Sequence, residues 1–379
     1  MAAVTRVQTV STRRELTTFI KLPWKIYADD KSWIPPLVSD QLVRLDPSRS
    51  AFHSHAEVRL FLAYHGKEAV GRIAAFIDHR RVAHLSRQVG GFGFFETFGD
   101  YSIAEALLDT AVDWLWERNI AEMIGPTCFT EFEYPGILVD GFEHPPVVMA
   151  AHSPPYYKDY LITYGLERYQ EFFTWRIVAN QIKTLLQELE PSFLSTTGEN
   201  QAVRNFKTRK LKLEDWEAEI RSVHNLVNEG LKGSPSYVPI SADDFLQIMN
   251  LLRIFIDPDL IRIAEADGKP IAVYCAVPDR NQLLKQINGR LTPFSRPRVR
   301  RLIRQIDTAM LLFTGALEGY QGTGLEGQLC RETLQAIQAR GSTCLAGNEL
   351  PGAAPGSAGL KGLLGAKSYR QYQLFKLNL

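Results

Sequence analysis

The stretch MLLFTGALEGYQGTGLEGQLCR, residues 310–331, has the residue types and spacing best suited to chemistry. Leu311, Leu312 and Phe313 make the short apolar run of a buried strand. Gly315 and Gly319 loosen the chain after it, and Gln321-Gly322-Thr323-Gly324 follows. A helix is expected next, because Leu325, Leu329, Thr333, Ala336 and Ile337 recur at helical spacing. A strand, a glycine loop and a helix start together favour an anion: the first helical N–H groups lack partners, and the helix dipole attracts negative charge there. The loop has neither the Gly-Lys-Ser/Thr of a nucleotide P-loop nor the three glycines of a dinucleotide fingerprint. The competing assignment is a glycine-rich turn before a surface helix.

Other groups offer weaker chemistry. Asp78-His79 follows a hairpin, and histidine can serve as a base near neutral pH. His53, His55 and Glu57 would share one face of a strand, but no further ligand group is near in sequence, so no metal is expected. Arg296, Arg298, Arg300, Arg301 and Arg304 form the one strong charge cluster, fit for a phosphate, an acidic carrier protein, an anionic membrane surface or a solvated face. The net charge is only +1, which argues against nucleic acid as a partner. Cys128, Cys275, Cys330 and Cys344 sit in apolar runs or on helices with no C-x-x-C pair, as buried thiols in a reducing compartment do. No signal-peptide core and no membrane-length apolar stretch is seen, so a cytoplasmic protein is expected, with surface contact to a membrane left open.

The elements that must position these groups come in two similar series. The first has a strand over 4–10, a helix over 13–27 opened by Ser11 or Thr12, and a hairpin of 57–63 with 68–76 around His65-Gly66-Lys67. The run at 91–96, a helix carrying Ile103, Leu107, Leu108, Ala111 and Leu115, a strand at 123–126, a helix at 156–164 and a strand at 172–178 follow. A polar loop, Ser195 to Asn200, is the best boundary. A hairpin turning at Asp267-Gly268-Lys269 then leads to the run at 311–313 and the helix at 325–340. FLAYHGKEAVGRIAAF in the first half parallels IAEADGKPIAVYCAV in the second, an internal repeat at domain scale.

The loop Gln321 to Gly324 resembles the Gln-x-x-Gly-x-Gly/Ala loop of the GNAT acyltransferase superfamily, which holds the pyrophosphate of coenzyme A. The chain further resembles a bacterial family of GNAT-like proteins of similar length, to which bacterial ceramide synthase looks related. The matching segments include Trp33-Ile34-Pro35-Pro36-Leu37, Gly71-Arg72-Ile73-Ala74-Ala75, Gly91-Phe92-Gly93-Phe94-Phe95-Glu96, Pro154-Pro155-Tyr156-Tyr157 and Asn288-Gly289-Arg290-Leu291. The resemblance implies an α/β fold of two tandem GNAT-like domains, with mixed sheets flanked by helices. Their expected bounds are 1–180, a helix and linker over 181–200, and 201–379.

It implies an N-acyltransferase that moves an acyl group from acyl-CoA, or from an acyl-carrier-protein thioester, to a small-molecule or lipid amine. Leu317, Tyr320, Gln321, Gly322, Thr323, Gly324 and Leu325 would bind the donor, with the arginines of 296–304 on its 3′-phosphate. Such transfer needs a base for the amine and a proton for the thiolate. Glu318 and Glu96 are the candidate bases, and Tyr157 a candidate acid. The first half has no phosphate loop after Glu96, so it is expected to be a degenerate copy. Together with the second half it would shape an acceptor cleft lined by residues such as Trp33, Phe94, Tyr156 and Tyr157. Two positions depart from the superfamily pattern: Glu326 stands where the loop calls for Gly or Ala, and Lys361 where many members have an acidic tyrosine. These departures leave a non-catalytic binding or scaffold protein, or a fold turned to other small-molecule chemistry, as the alternative.

Overall fold

The computed structural model describes residues 5–130, 133–196, 206–232, 237–291, 296–321, 323–349 and 365–379. In chain order the strands are β1 (Thr5–Thr9), β2 (Ala56–His65), β3 (Glu68–Asp78), β4 (Val89–Thr97), β5 (Glu122–Thr127), β6 (Ile137–Asp140) and β7 (Glu167–Val178). They continue with β8 (Phe206–Lys210), β9 (Ile261–Ala266), β10 (Lys269–Pro278), β11 (Thr308–Ala316), β12 (Cys344–Glu349) and β13 (Lys367–Asn378). Two compact units form, and neither is a continuous piece of chain. The first unit joins Met1–Phe172 to Leu284–Thr292 and Arg370–Leu379; the second joins Phe173–Leu283 to Pro293–Tyr369.

In the first unit the strand order is β1-β2-β3-β4-β5-β13, and β6 also pairs with β13. In the second it is β8-β9-β10-β11-β12-β7. The two sequences of strands match position for position. The chain's last strand completes the first unit, and the second half of β7, Phe173–Val178, lies in the second unit. Within each unit neighbouring strands pair antiparallel where described, but β4 with β5 and β11 with β12 run parallel. These two parallel pairs need crossover connections, which the helices Tyr101–Trp116 and Leu325–Ala339 supply.

The helices fold as their apolar spacing dictates. Ile103, Leu107, Leu108, Ala111 and Leu115 of the first are buried. Leu325, Leu329, Thr333, Leu334 and Ile337 of the second are buried against Tyr274, Ala276, Leu311 and Leu345. The helix Trp216–Leu231 packs on β11 so closely that a Cβ at Gly315 would lie 1.8 Å from the carbonyl oxygen of Leu226.

In both units the central strand outruns its parallel partner. β11 pairs with β12 only over Thr308–Leu311 and then continues to Ala316. β4 pairs with β5 between Val89 and Gly93 and continues to Thr97. A bulge marks each departure. Cys275 and Ala276 of β10 face Phe313 and Leu311, leaving Leu312 as the extra residue. On β4, Phe94 and Phe95 stand where β3 offers only Ile73, and Phe94 takes φ +48°. A phenylalanine in left-handed backbone is strained, so the surrounding packing must hold it there.

Candidate functional site

In the second unit β11 ends in the loop identified from sequence. Leu317 N–H donates to Ile271 O (2.9 Å), and Leu317 and Tyr320 lay their side chains on the apolar core. The loop is closed by its own groups: Tyr320 N–H donates to Leu317 O (3.0 Å), Gln321 Nε2 to Ala316 O (3.0 Å) and Thr323 Oγ1 to Tyr320 O (2.6 Å). Gly324 is the N-cap of the helix Leu325–Ala339, with φ +86°, and no side chain caps that helix start. A residue with a Cβ would be strained there. A helix start of this kind offers its first N–H groups to a capping group, to water or to an anion. This arrangement suits a pyrophosphate. Glu326 stands in the first turn, partly buried and with a partner of its own. Gly322 lies outside the described residues. Glu318 is exposed beside this loop and contributes to the field at Lys232, whose pKa is raised first by its hydrogen bond to Glu229.

The matching helix start in the first unit is different. Asp100 caps the helix Tyr101–Trp116, accepting from Ser102 N–H at 2.9 Å. A carboxylate therefore occupies the place where an anion would otherwise sit. The β4 edge is filled as well: Thr97 N–H donates to Tyr157 Oη (2.7 Å), and Tyr156 Oη donates to Thr97 O (2.9 Å). Tyrosine side chains thus satisfy backbone groups on the side that β5 has left.

These tyrosines belong to a buried polar cluster around Glu96. Tyr27 Oη (2.7 Å) and Tyr157 Oη (2.9 Å) both reach Glu96 Oε2, and Arg72 Nη2 stands 3.6 Å from Oε1. Arg72 Nη1 donates to Phe19 O (2.7 Å), and its guanidinium lies over the Phe19 ring. Burial raises the pKa of Glu96 against the opposing pull of Arg72, and burial together with the Glu96 charge holds the Tyr27 and Tyr157 hydroxyls far above their usual range. The Tyr27 ring stacks on Trp33 (5.2 Å, 10°), which meets Trp24 edge-on (5.3 Å). Tyr27 also borders a second chain of contacts. His152 Nε2 pairs with Asp30 Oδ2 (2.7 Å), while Arg370 Nη2 donates to His152 Nδ1 (3.2 Å). Because Arg370 can only donate, Nδ1 is the acceptor and the Nε2 proton points to Asp30.

Of the residues named from sequence, Glu96 and Tyr157 come into contact, while Glu318 and the loop are placed in the second unit. Tyr157 is 1% exposed, with its hydroxyl bonded to Glu96 and Thr97. Tyr27, Arg72, Asp30 and His152 were missed. Arg72 carried a signal: it is the one charge in the apolar run from Ala69 to Ile77. The side chains of Arg296, Arg298 and Arg300, expected on a 3′-phosphate, lie outside the described residues. Arg340, the C-cap of the helix Leu325–Ala339, donates to Ile303 O (3.0 Å), so the helix Arg296–Ile303 meets the end opposite Gly324. Fifteen residues at about 1.5 Å each separate the two ends by roughly 20 Å. Lys361 lies outside the described residues. His55 pairs with Asp78, and His79 with Glu57; among the described residues no group of three or more His, Cys, Asp or Glu could hold a metal. Burial pushes the Cys128 and Cys330 thiols up to about 12, which leaves them protonated and poor nucleophiles. No helix among the described residues is long and apolar enough to cross a membrane.

No protein-family model matches the chain. It is 27% identical over 315 residues to a bacterial ceramide synthase of Caulobacter vibrioides, covering 82% of this chain and 80% of that protein. It is 24% identical over 378 residues to protein YghO of Escherichia coli, covering 98% and 94%. Among solved structures it resembles a tandem GNAT protein from the clavulanic acid biosynthesis pathway, with TM-score 0.56 at 10% identity, over 99% of this chain and 98% of that one. It also resembles a GCN5-related N-acetyltransferase from Sphaerobacter thermophilus, with TM-score 0.52 at 11% identity, over 99% and 95%. The chain has the tandem GNAT fold.

Proposed function

We propose that this protein is an N-acyltransferase that takes an acyl group from acyl-CoA, bound at the β11–loop–helix junction of the second unit, and passes it to an amine. The observation that carries this reading is the contrast between the two helix starts. One is capped by the Asp100 carboxylate, and the other opens at Gly324 with no side-chain cap. Only the second can receive a pyrophosphate on its N–H groups. The pairing of β11 with β12 ends at Leu311, and a pantetheine arm would run along the strand beyond it, whereas Tyr156 and Tyr157 fill the corresponding edge of β4. The similarity to a ceramide synthase supports acyl transfer to an amine as the chemistry. A phosphopantetheine thioester on a carrier protein is the same donor chemistry in another package.

In the transfer the amine nitrogen bonds to the thioester carbonyl carbon and the carbon–sulfur bond breaks. The amine loses a proton and the thiolate gains one. Glu318, exposed at the end of β11, takes the amine proton in this account, directly or through water. Backbone N–H groups from Gln321 to Leu325 orient the donor. The competing reading is a binding protein without turnover, and Glu326 in the first turn favours it, since a carboxylate there repels phosphate. Release of free thiol from acyl-CoA, followed with a thiol reagent, separates the two. Acyl transfer requires release that depends on added amine and falls about a hundredfold in Glu318→Gln. Binding without amine-dependent release supports the scaffold.

A further inference from the structure

We propose that the first unit holds a phosphate ester in a groove between its first helix and the β2–β3 hairpin, a site separate from the donor loop. The helix is Arg13–Lys21, followed by the short helix Pro23–Ile26. The groove measures about 720 Å³, within the usual size of a small-molecule site. Arg14, Lys21 and Lys25 line it from the helical side, and Lys67 from the turn of the hairpin. Its two carboxylates are already engaged. Glu15 accepts from the N–H groups of Ser11 and Thr12, both at 2.9 Å, in the capping box that opens the helix. Glu68 pairs with Lys25 at 3.0 Å. Arg14, Lys21 and Lys67 are exposed and have no ion pair among the described residues.

Three unpaired cations thus face one groove whose negative charges are occupied. They repel one another, and an anion seated among them removes that cost. Arg14 and Lys21 are separated by about 10 Å along the helix axis, so they flank the groove instead of meeting at one point. A bare phosphate cannot span that length, whereas a phosphate carried on an organic body can. Leu22 and Ala69 are buried beneath the groove, and the Tyr64 ring lines its wall, which gives the carbon part of such a ligand a surface to lie on. Burial and the Glu15 charge hold the Tyr64 hydroxyl above its usual range, so it stays protonated and able to donate. The Arg14 guanidinium can take two phosphate oxygens as a fork, and the lysines act as point charges. A phospholipid head and a free phosphate ester share this chemistry. No residue of the donor loop takes part, so the site does not depend on the acyltransfer reading.

The test compares the full wild-type chain with a groove variant, Arg14→Gln/Lys21→Gln/Lys67→Gln. A control, Arg168→Gln/Lys183→Gln/Lys269→Gln, loses the same charge elsewhere; all the substituted side chains are exposed. Two probes separate the sources: glycerol 3-phosphate by calorimetry, and vesicles of equimolar phosphatidylglycerol and phosphatidylcholine by sedimentation, against phosphatidylcholine alone. No acyl donor is present. Wild type is expected to bind at least one phosphate probe, the groove variant to bind it about tenfold to a hundredfold more weakly, and the control to stay within about threefold of wild type. Loss of vesicle binding alone identifies a lipid head, and loss of glycerol phosphate binding alone a free ester; either supports the site. Should the groove variant unfold, Lys67→Gln in the hairpin turn decides, with about fivefold weaker binding expected and unchanged binding against the proposal. Binding of neither probe by wild type, equal binding by wild type and the folded groove variant, or an equal loss in the control overturns it. So does a measurable affinity for glycerate, a carboxylate of similar size, that equals the affinity for glycerol phosphate.

Discussion

A carboxylate such as Glu96 is costly to bury, and the structure offsets that cost with one guanidinium and two phenols. Burial, set against the pull of Arg72 and the two phenols, still raises its pKa above the ordinary carboxylate value. The groups facing it are Arg72, Tyr27 and Tyr157, with Cys128 and Tyr156 also within its field. A group that binds its proton more tightly when folded stabilises the fold below its ordinary pKa and loses that contribution as pH rises through the raised value. The stability of wild type relative to Glu96→Gln should therefore be greatest near pH 4 and decline toward pH 7. Melting temperatures of both proteins across that range check this, and a difference that grows with pH would contradict it. His152 has the opposite sense: burial lowers its pKa, so its contribution is lost on acidification below the ordinary histidine value. Glu96 and Tyr157 could be named from sequence because each closes a recognisable run. Tyr27, Arg72, Asp30 and His152 could not be joined to them, because no spacing rule links residues 69 or 122 positions apart.

Among the elements, the loop after β11 was the most legible feature, since strand, glycines and helix periodicity all lie within one short stretch. The bulges were not. They arise from pairing between β3 and β4 and between β10 and β11, and no residue type announces them; Phe94 in left-handed backbone is a choice few sequences would suggest. Packing of the helix Trp216–Leu231 on β11 rests on the missing side chain at Gly315. Gly315→Ala sets a methyl group against the Leu226 carbonyl, a backbone atom that cannot swing aside. The expected loss is about 2–3 kcal/mol in urea denaturation, the upper range for overpacking. Weaker acyl-CoA binding should accompany it, because β11 leads directly into the loop. Unchanged stability would mean that the helix can move away freely.

At the scale of the whole molecule, the repeat predicted from two similar hairpins corresponds to two runs of strands of matching order, β1-β2-β3-β4-β5-β13 and β8-β9-β10-β11-β12-β7. The exchanged sixth strands could not be read from the sequence. A strand's apolar residues show that it is buried but not which sheet it joins. Residues 370–379 carry Tyr372, Leu374 and Phe375, all buried, and Arg370 at 1% exposure, within the first unit. Deleting them should therefore unfold the N-terminal part of the chain, although they close its C-terminal end. Limited proteolysis is expected to digest residues 5–172 of the truncated chain faster than those of the full one. Protection equal to the full chain would show that β13 is dispensable to the first unit.

The measurement that bears most directly on the acyltransferase account is calorimetric titration of octanoyl-CoA into wild type and Gly324→Val. The variant places a branched side chain at φ +86° where phosphate must approach, with a stability loss on the order of 1 kcal/mol that leaves it folded. The account predicts one molecule bound per chain by wild type and none by Gly324→Val. Equal binding by the two, or no binding by wild type at millimolar ligand, would contradict it.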